Sequence, residues 1–171
     1  MRFLRAFIFG LGLMYGLAVP KDSLDDKCGG GAYSSETVNV GWGEIGYNRG
    51  PLASERFSSC SAVVLDYGNE ALLAHSFNGE YGPTNFNQIC TGNVVDKLVE
   101  ESRRRGFYLR TSKAIVNTVC EPDLRKIISD LEKYGIHLQE ANLSEFKFGF
   151  ERDVHYDPES DLLSIKNRVF D

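Results

Sequence analysis

The chain has 171 residues, 42% of them apolar, enough to build one domain around a sizeable core. A formal net charge of -5 excludes the usual electrostatics of a nucleic-acid binder, which needs clustered Lys and Arg. The one basic run, Arg103, Arg104 and Arg105, stands beside Glu100 and Glu101 and reads as a solvated helix end.

Arg2 and Arg5 precede an apolar stretch over residues 6–19, after which Pro20, Lys21, Asp22 and Ser23 restore polarity. With the small-x-small triplet Gly16, Leu17 and Ala18, this order predicts a signal peptide or hydrophobic leader over residues 1–20 and export to the periplasm or the exterior. If the leader is not a signal peptide, the expected compartment is the cytoplasm. The apolar stretch is too short to span a bilayer comfortably, so no stable membrane insertion of the mature domain is expected. Residues 21–36 are polar and contain Gly29, Gly30 and Gly31, which predicts a flexible linker before a monomeric domain over residues 37–171.

Residues 37–40 alternate like a strand. Gly41, Gly43 and Gly46 then spell G-x-G-x-x-G, but Tyr47, Asn48, Arg49, Gly50 and Pro51 are turn chemistry, not the opening of a phosphate-binding helix. No nucleotide cofactor is expected. Residues 61–65 and 71–75 are short apolar runs separated by Asp66, Tyr67, Gly68, Asn69 and Glu70, which predicts a hairpin. Val94, Val95, Leu98 and Val99 line one side of a helix that Gly106 ends, and a strand is expected over 114–119. Pro122 opens a second helix whose stripe is Leu124, Ile127, Ile128 and Leu131, closed by Gly135. A strand over 136–140 follows, then a hairpin of 153–156 and 162–166 joined through Asp157, Pro158, Glu159 and Ser160. The predicted class is α+β: a layered α/β sandwich of mixed sheets, two amphipathic helices and a C-terminal β-hairpin.

Cys28, Cys60, Cys90 and Cys120 are too widely spaced for a zinc motif, so no metal site is expected. In an exported chain, two of Cys28, Cys90 and Cys120 could form a disulfide, whose pairing the spacing leaves open.

Cys60 stands where the small-residue run Ser54-Glu-Arg-Phe-Ser-Ser enters an apolar strand, and His75 ends the neighbouring one. Pairing these strands brings sulfur and imidazole to one edge of a sheet, the geometry of an activated Cys-His nucleophile with an accessible thiolate. Backbone N–H groups in the preceding loop could receive an oxyanion. The blander alternative is a small core cysteine and a structural histidine. Asp66 and Asn78 are further candidates to orient the imidazole, although both residue types are expected in turns. His137 and His155 show no nucleophile pattern beside them and read as structural or surface residues.

Val40-Gly-Trp-Gly-Glu44, the stretch Ser54 to Leu65, and Leu73-Ala-His75 together resemble the N-terminal half of CheD, the chemoreceptor glutamine deamidase family. The likeness extends through residues 124–136 and through Arg152-Asp-Val-His-Tyr-Asp-Pro-Glu-Ser160, so it covers about residues 38–166. Bacterial toxin deamidases of the cytotoxic-necrotising type share the Cys-His arrangement. The resemblance implies a protein-glutamine deamidase with Cys60 as nucleophile, His75 as base and Ser54 as the hydroxyl that orients the imidazole. It also implies oxyanion support from the backbone at Ser58 and Ser59, no cofactor, and a partner protein that carries the target glutamine. The family has Thr where Ser54 stands and Gly-Ser where this chain has Ser58-Ser59. That lost glycine motivates a second reading, a CheD-like binding module of weak or no turnover that docks to a signalling protein. The leader motivates a third, an exported toxin or effector deamidase.

Overall fold

The computed structural model describes residues 36–77 and 89–169. The expected leader, all of the expected linker but Glu36, and both Cys28 and Asn78 lie outside the described residues.

Among the described residues, nine strands and two α-helices run in the order β1 (Val38–Asn39), β2 (Ile45–Asn48), β3 (Leu52–Phe57), β4 (Ser61–Asp66), β5 (Ala71–Ser76), α1 (Val94–Arg104), β6 (Lys113–Thr118), α2 (Glu121–Lys133), β7 (His137–Leu143), β8 (Phe150–Asp157) and β9 (Leu162–Val169). They form a five-stranded sheet, β2-β5-β4-β6-β7, and a four-stranded sheet, β1-β3-β8-β9. Each is mixed, because β6–β7 and β1–β3 pair in parallel and the other pairs are antiparallel. This is the predicted α+β sandwich, including its C-terminal hairpin β8–β9.

β4 and β5 are buried along their whole length, and the reason is visible in their sequence. Side chains alternate across a strand, so a strand covered on both faces must be apolar at both parities. Val63, Leu65, Leu72 and Ala74 meet the stripes of α1 and α2, while Ala62, Val64, Ala71 and Leu73 meet Leu52, Phe57, Val154 and Tyr156 of the smaller sheet. The molecule is therefore layered helices, larger sheet, smaller sheet. In α2 the fully buried residues of the predicted stripe are Ile127 and Leu131, and Ile128 is only half-buried. Gly106 and Gly135 follow the two helices at positive φ, +79° and +66°, a backbone that glycine adopts without strain.

Two strands depart from the sequence expectation. Tyr47 and Asn48 complete β2, paired to Leu72 and Ala71 of β5, and the turn is confined to the residues after them. The G-x-G-x-x-G run thus leads into a strand, not a helix. Its last glycine, Gly46, lies so close to Val40 that a Cβ would meet Val40 Cγ2 at 2.3 Å. The residues before Cys60, expected as a loop, form β3 of the smaller sheet, and only Ser58 and Ser59 separate that strand from Cys60.

Candidate active site

The hairpin β4–β5 sets the first two side chains. Ala62 pairs with His75 and Ser61 with Ser76, so Cys60, two residues before Ala62, leaves the sheet on the same face as His75. That face is covered by the smaller sheet, and Cys60 and His75 are 6% and 2% exposed.

Ser54 reaches His75 because β3 is irregular. Across β8, Ser54 pairs with Val154 and Phe57 with Arg152, so three steps on β3 match two on β8 and one residue is extra. Such a bulge resets side-chain parity. Ser54 and Phe57, which would otherwise face opposite ways, both point into the core, and Glu55 and Arg56 are left outside. Arg56 takes φ +64°, the left-handed region, to make the bulge. Phe57 then stacks on the His75 ring, with centroids 3.6 Å apart and planes 16° from parallel. Arg56→Val is expected to lower stability by about 1–2 kcal/mol, since a β-branched side chain is penalised most at positive φ. Arg56→Gly should match or exceed wild type; paired thermal melts check both.

The hydrogen bonds around Ser54 settle the imidazole tautomer. Its hydroxyl has one proton and donates it to the Val40 carbonyl at 2.6 Å. The 2.9 Å contact between Ser54 Oγ and His75 Nδ1 must therefore run from Nδ1–H to the oxygen. That leaves Nε2 with its lone pair exposed to the site, and this nitrogen is buried without a hydrogen-bond partner among the described residues. Burial, helped by the charge of Arg152, pushes the His75 pKa down to about 4, so the imidazole is a neutral free base near pH 7.

The sulfur is less available than the sequence suggested. Trp42 Nε1 donates to Cys60 Sγ at 3.3 Å from the turn before β2, which Gly43 makes at φ +74°. That turn is tied to β5 by Gly43 N–H to His75 O (2.9 Å) and His75 N–H to Glu44 O (3.1 Å). Burial raises the Cys60 pKa, opposed by the Trp42 hydrogen bond, the Arg152 charge and a hydrogen bond from the Ser59 backbone. The expected accessible thiolate is thus a buried thiol, lining the same cleft as a neutral imidazole whose Nε2 makes no hydrogen bond to it. Of the two backbone positions expected to support an oxyanion, the Ser58 N–H is engaged by Arg56 O at 3.1 Å.

Ser54, Ser58, Ser59, Cys60 and His75 line one open cleft of about 960 Å³ with Trp42. Asp66 is not there: its carboxylate accepts the Gly68 N–H in the β4–β5 turn. His137 is exposed on the edge strand β7, and His155 lies in β8; neither lines the cleft. Cys60, Cys90 and Cys120 carry no disulfide among the described residues. Trp42, Phe57 and Arg152 were not singled out by sequence reasoning. For Arg152 a signal existed: the alternation that sends Tyr156 and Val154 inward, extended one step, sends Arg152 inward too.

No protein-family model matches the chain, and a search of curated proteins gives no match. Among solved structures the chain is similar to the C-terminal domain of CNFy from Yersinia pseudotuberculosis. The TM-score is 0.38 at 9% identity, over 78% of this chain and 62% of that one, so this chain spans less than two thirds of that chain's length.

Proposed function

We propose that the protein is a cysteine-dependent amidohydrolase that converts a glutamine side chain of a partner protein to glutamate. The observation that carries this reading is the His75 ring, held at Nδ1 by Ser54 with Nε2 unpaired, in the cleft that Cys60 also lines. The resemblance of Val40 to Glu44, Ser54 to Leu65 and Leu73 to His75 to the CheD family supports the same roles, residue by residue.

The reaction starts from the neutral pair. As Cys60 Sγ attacks the carboxamide carbon, its proton passes to His75 Nε2, and the carbonyl oxygen takes the negative charge against the backbone N–H of Ser59. His75 returns the proton to the amine, the C–N bond breaks and ammonia leaves a thioester on Cys60. Water adds to the thioester with His75 again as base, the C–S bond breaks, and the proton returns to sulfur. Glutamine plus water gives glutamate plus ammonia, and Ser54 accepts from Nδ1–H throughout, so that only Nε2 gains and loses a proton.

A second reading, docking without turnover, is favoured by one observation: the sulfur is buried under Trp42. Peptide mass spectrometry of candidate proteins incubated with the chain separates the two. The deamidase reading expects a glutamine-to-glutamate mass increment at one or a few peptides and stoichiometric ammonia. Binding of a partner with neither change supports the docking reading.

A further inference from the structure

Arg152 is a buried cation to which the reaction above assigns no step. It is 3% exposed on β8. Its Nε donates to Phe57 O at 3.3 Å, one terminal nitrogen to Cys60 O at 2.9 Å, and the other to Asn117 Oδ1 on β6. All three acceptors are neutral, and no carboxylate among the described residues forms an ion pair with the guanidinium. A buried charge is costly, and such groups are ordinarily paired with an opposite one; left unpaired, this guanidinium keeps its field. The two carbonyls it holds bracket Ser58 and Ser59, the loop that presents Cys60.

We propose that Arg152 is the positioning residue of the nucleophile: it clamps the Phe57-to-Cys60 loop from its buried side and holds an uncompensated positive charge there that favours the thiolate as it forms. This rests on Cys60 being the nucleophile. The other charged groups around the sulfur do not substitute for it. His75 on β5 is neutral near pH 7. Glu44, Glu55 and Arg56 line the outer side of the cleft, of mixed sign and exposed to water that screens them; Glu145 and Lys147, before β8, share a depression with Ser58 and Arg152, but both are exposed and pair with each other at 3.1 Å. The same guanidinium lowers both partners' pKa values, working against burial at Cys60 and with it at His75. One buried cation therefore favours a sulfur that can lose its proton and an imidazole that is free to take it.

The test needs no substrate, so its failure is distinct from a failure to find deamidation. The rate of iodoacetamide alkylation at Cys60 is followed against pH by peptide mass spectrometry, in the folded full chain. Arg152→Met is expected to move the midpoint up by about one pH unit or more, with roughly tenfold slower alkylation at neutral pH. Arg152→Lys, which keeps the charge, should restore most of the shift. Asn117→Asp keeps Arg152 and its hydrogen bond but neutralises the cation, and should move the midpoint the same way; it decides the matter if Arg152→Met does not fold. A purely structural role would lower the melting temperature and leave the midpoint in place. A wild-type midpoint in folded Asn117→Asp, or in folded Arg152→Met, overturns the proposal.

Discussion

Cys60→Ser is expected to abolish deamidation of a verified substrate, and His75→Ala to lower it by about a hundred- to ten-thousand-fold, the range for losing a general acid–base. The two losses have different causes. A neutral imidazole with a pKa of about 4 is a weak base, adequate only for a thiol whose proton transfer is coupled to attack. A serine hydroxyl is far harder to deprotonate, so the substituted oxygen is not activated at all. His75→Ala leaves the thiol but removes the group that takes its proton and later gives one to ammonia. Ser54→Ala should be milder, about tenfold, because it frees the ring to change tautomer without deleting the proton carrier. Ser54→Thr keeps the hydroxyl and should keep most of the rate. Initial rates of the glutamate-containing peptide, measured beside thermal melts of each variant, check the series. Full turnover by folded Cys60→Ser would remove the nucleophile from the mechanism.

The second large effect is on stability. The His75 pKa is about 4 in the folded chain against an ordinary value of 6.5, so above pH 6.5 the group is neutral in both states and contributes no pH dependence. Between 6.5 and 4 the unfolded chain binds a proton that the folded one refuses, and stability must fall as pH falls. By about pH 4 the loss approaches about 3 kcal/mol, from 1.36 kcal/mol for each unit of difference. The carboxylates held low, Glu101 by Arg104 and Arg105, Asp130 against burial by Lys126 and Lys133, and Asp161 against burial by Gln139 and Lys113, add losses only nearer their ordinary range, where an unfolded chain begins to protonate them. Asp66, raised by burial, acts in the opposite sense as pH falls, so it is the comparison with His75→Gln that isolates the imidazole. Urea melts from pH 7.5 to 4.5 on wild type and His75→Gln should diverge through that interval, with the wild-type curve the steeper. Parallel curves would mean that the buried imidazole accepts its proton without penalty.

These expectations draw unequally on sequence and structure. The β4–β5 hairpin is legible because its turn residues and double-sided apolar runs are local, and that pairing alone brings Cys60 and His75 to one end and one face of the sheet. Both helices are legible from their stripes and the glycines that stop them. β3 is not, because reading a strand from its sequence assumes alternation, and Ser54-Glu55-Arg56-Phe57 breaks alternation at the bulge that turns Ser54 inward. The resemblance to the CheD family is what pointed to Ser54; the tertiary structure alone supplies its bond to His75.

Composition, local periodicity and turn chemistry by themselves determined the layered class, the hairpin that carries the Cys-His pair, and the absence of a helix after the glycine run. Only the tertiary structure decided the electrical state of the pair. Whether a thiol is exposed or buried, and whether an imidazole is charged, depends on what the second sheet brings against them. Here that is Phe57 on the ring and Arg152 behind the loop, while Trp42 reaches the sulfur from the turn before β2. Arg152 lies 92 residues from Cys60 in the chain. No local pattern specifies such a contact, because desolvation and Coulomb interactions act through space between elements that meet only when both sheets have packed.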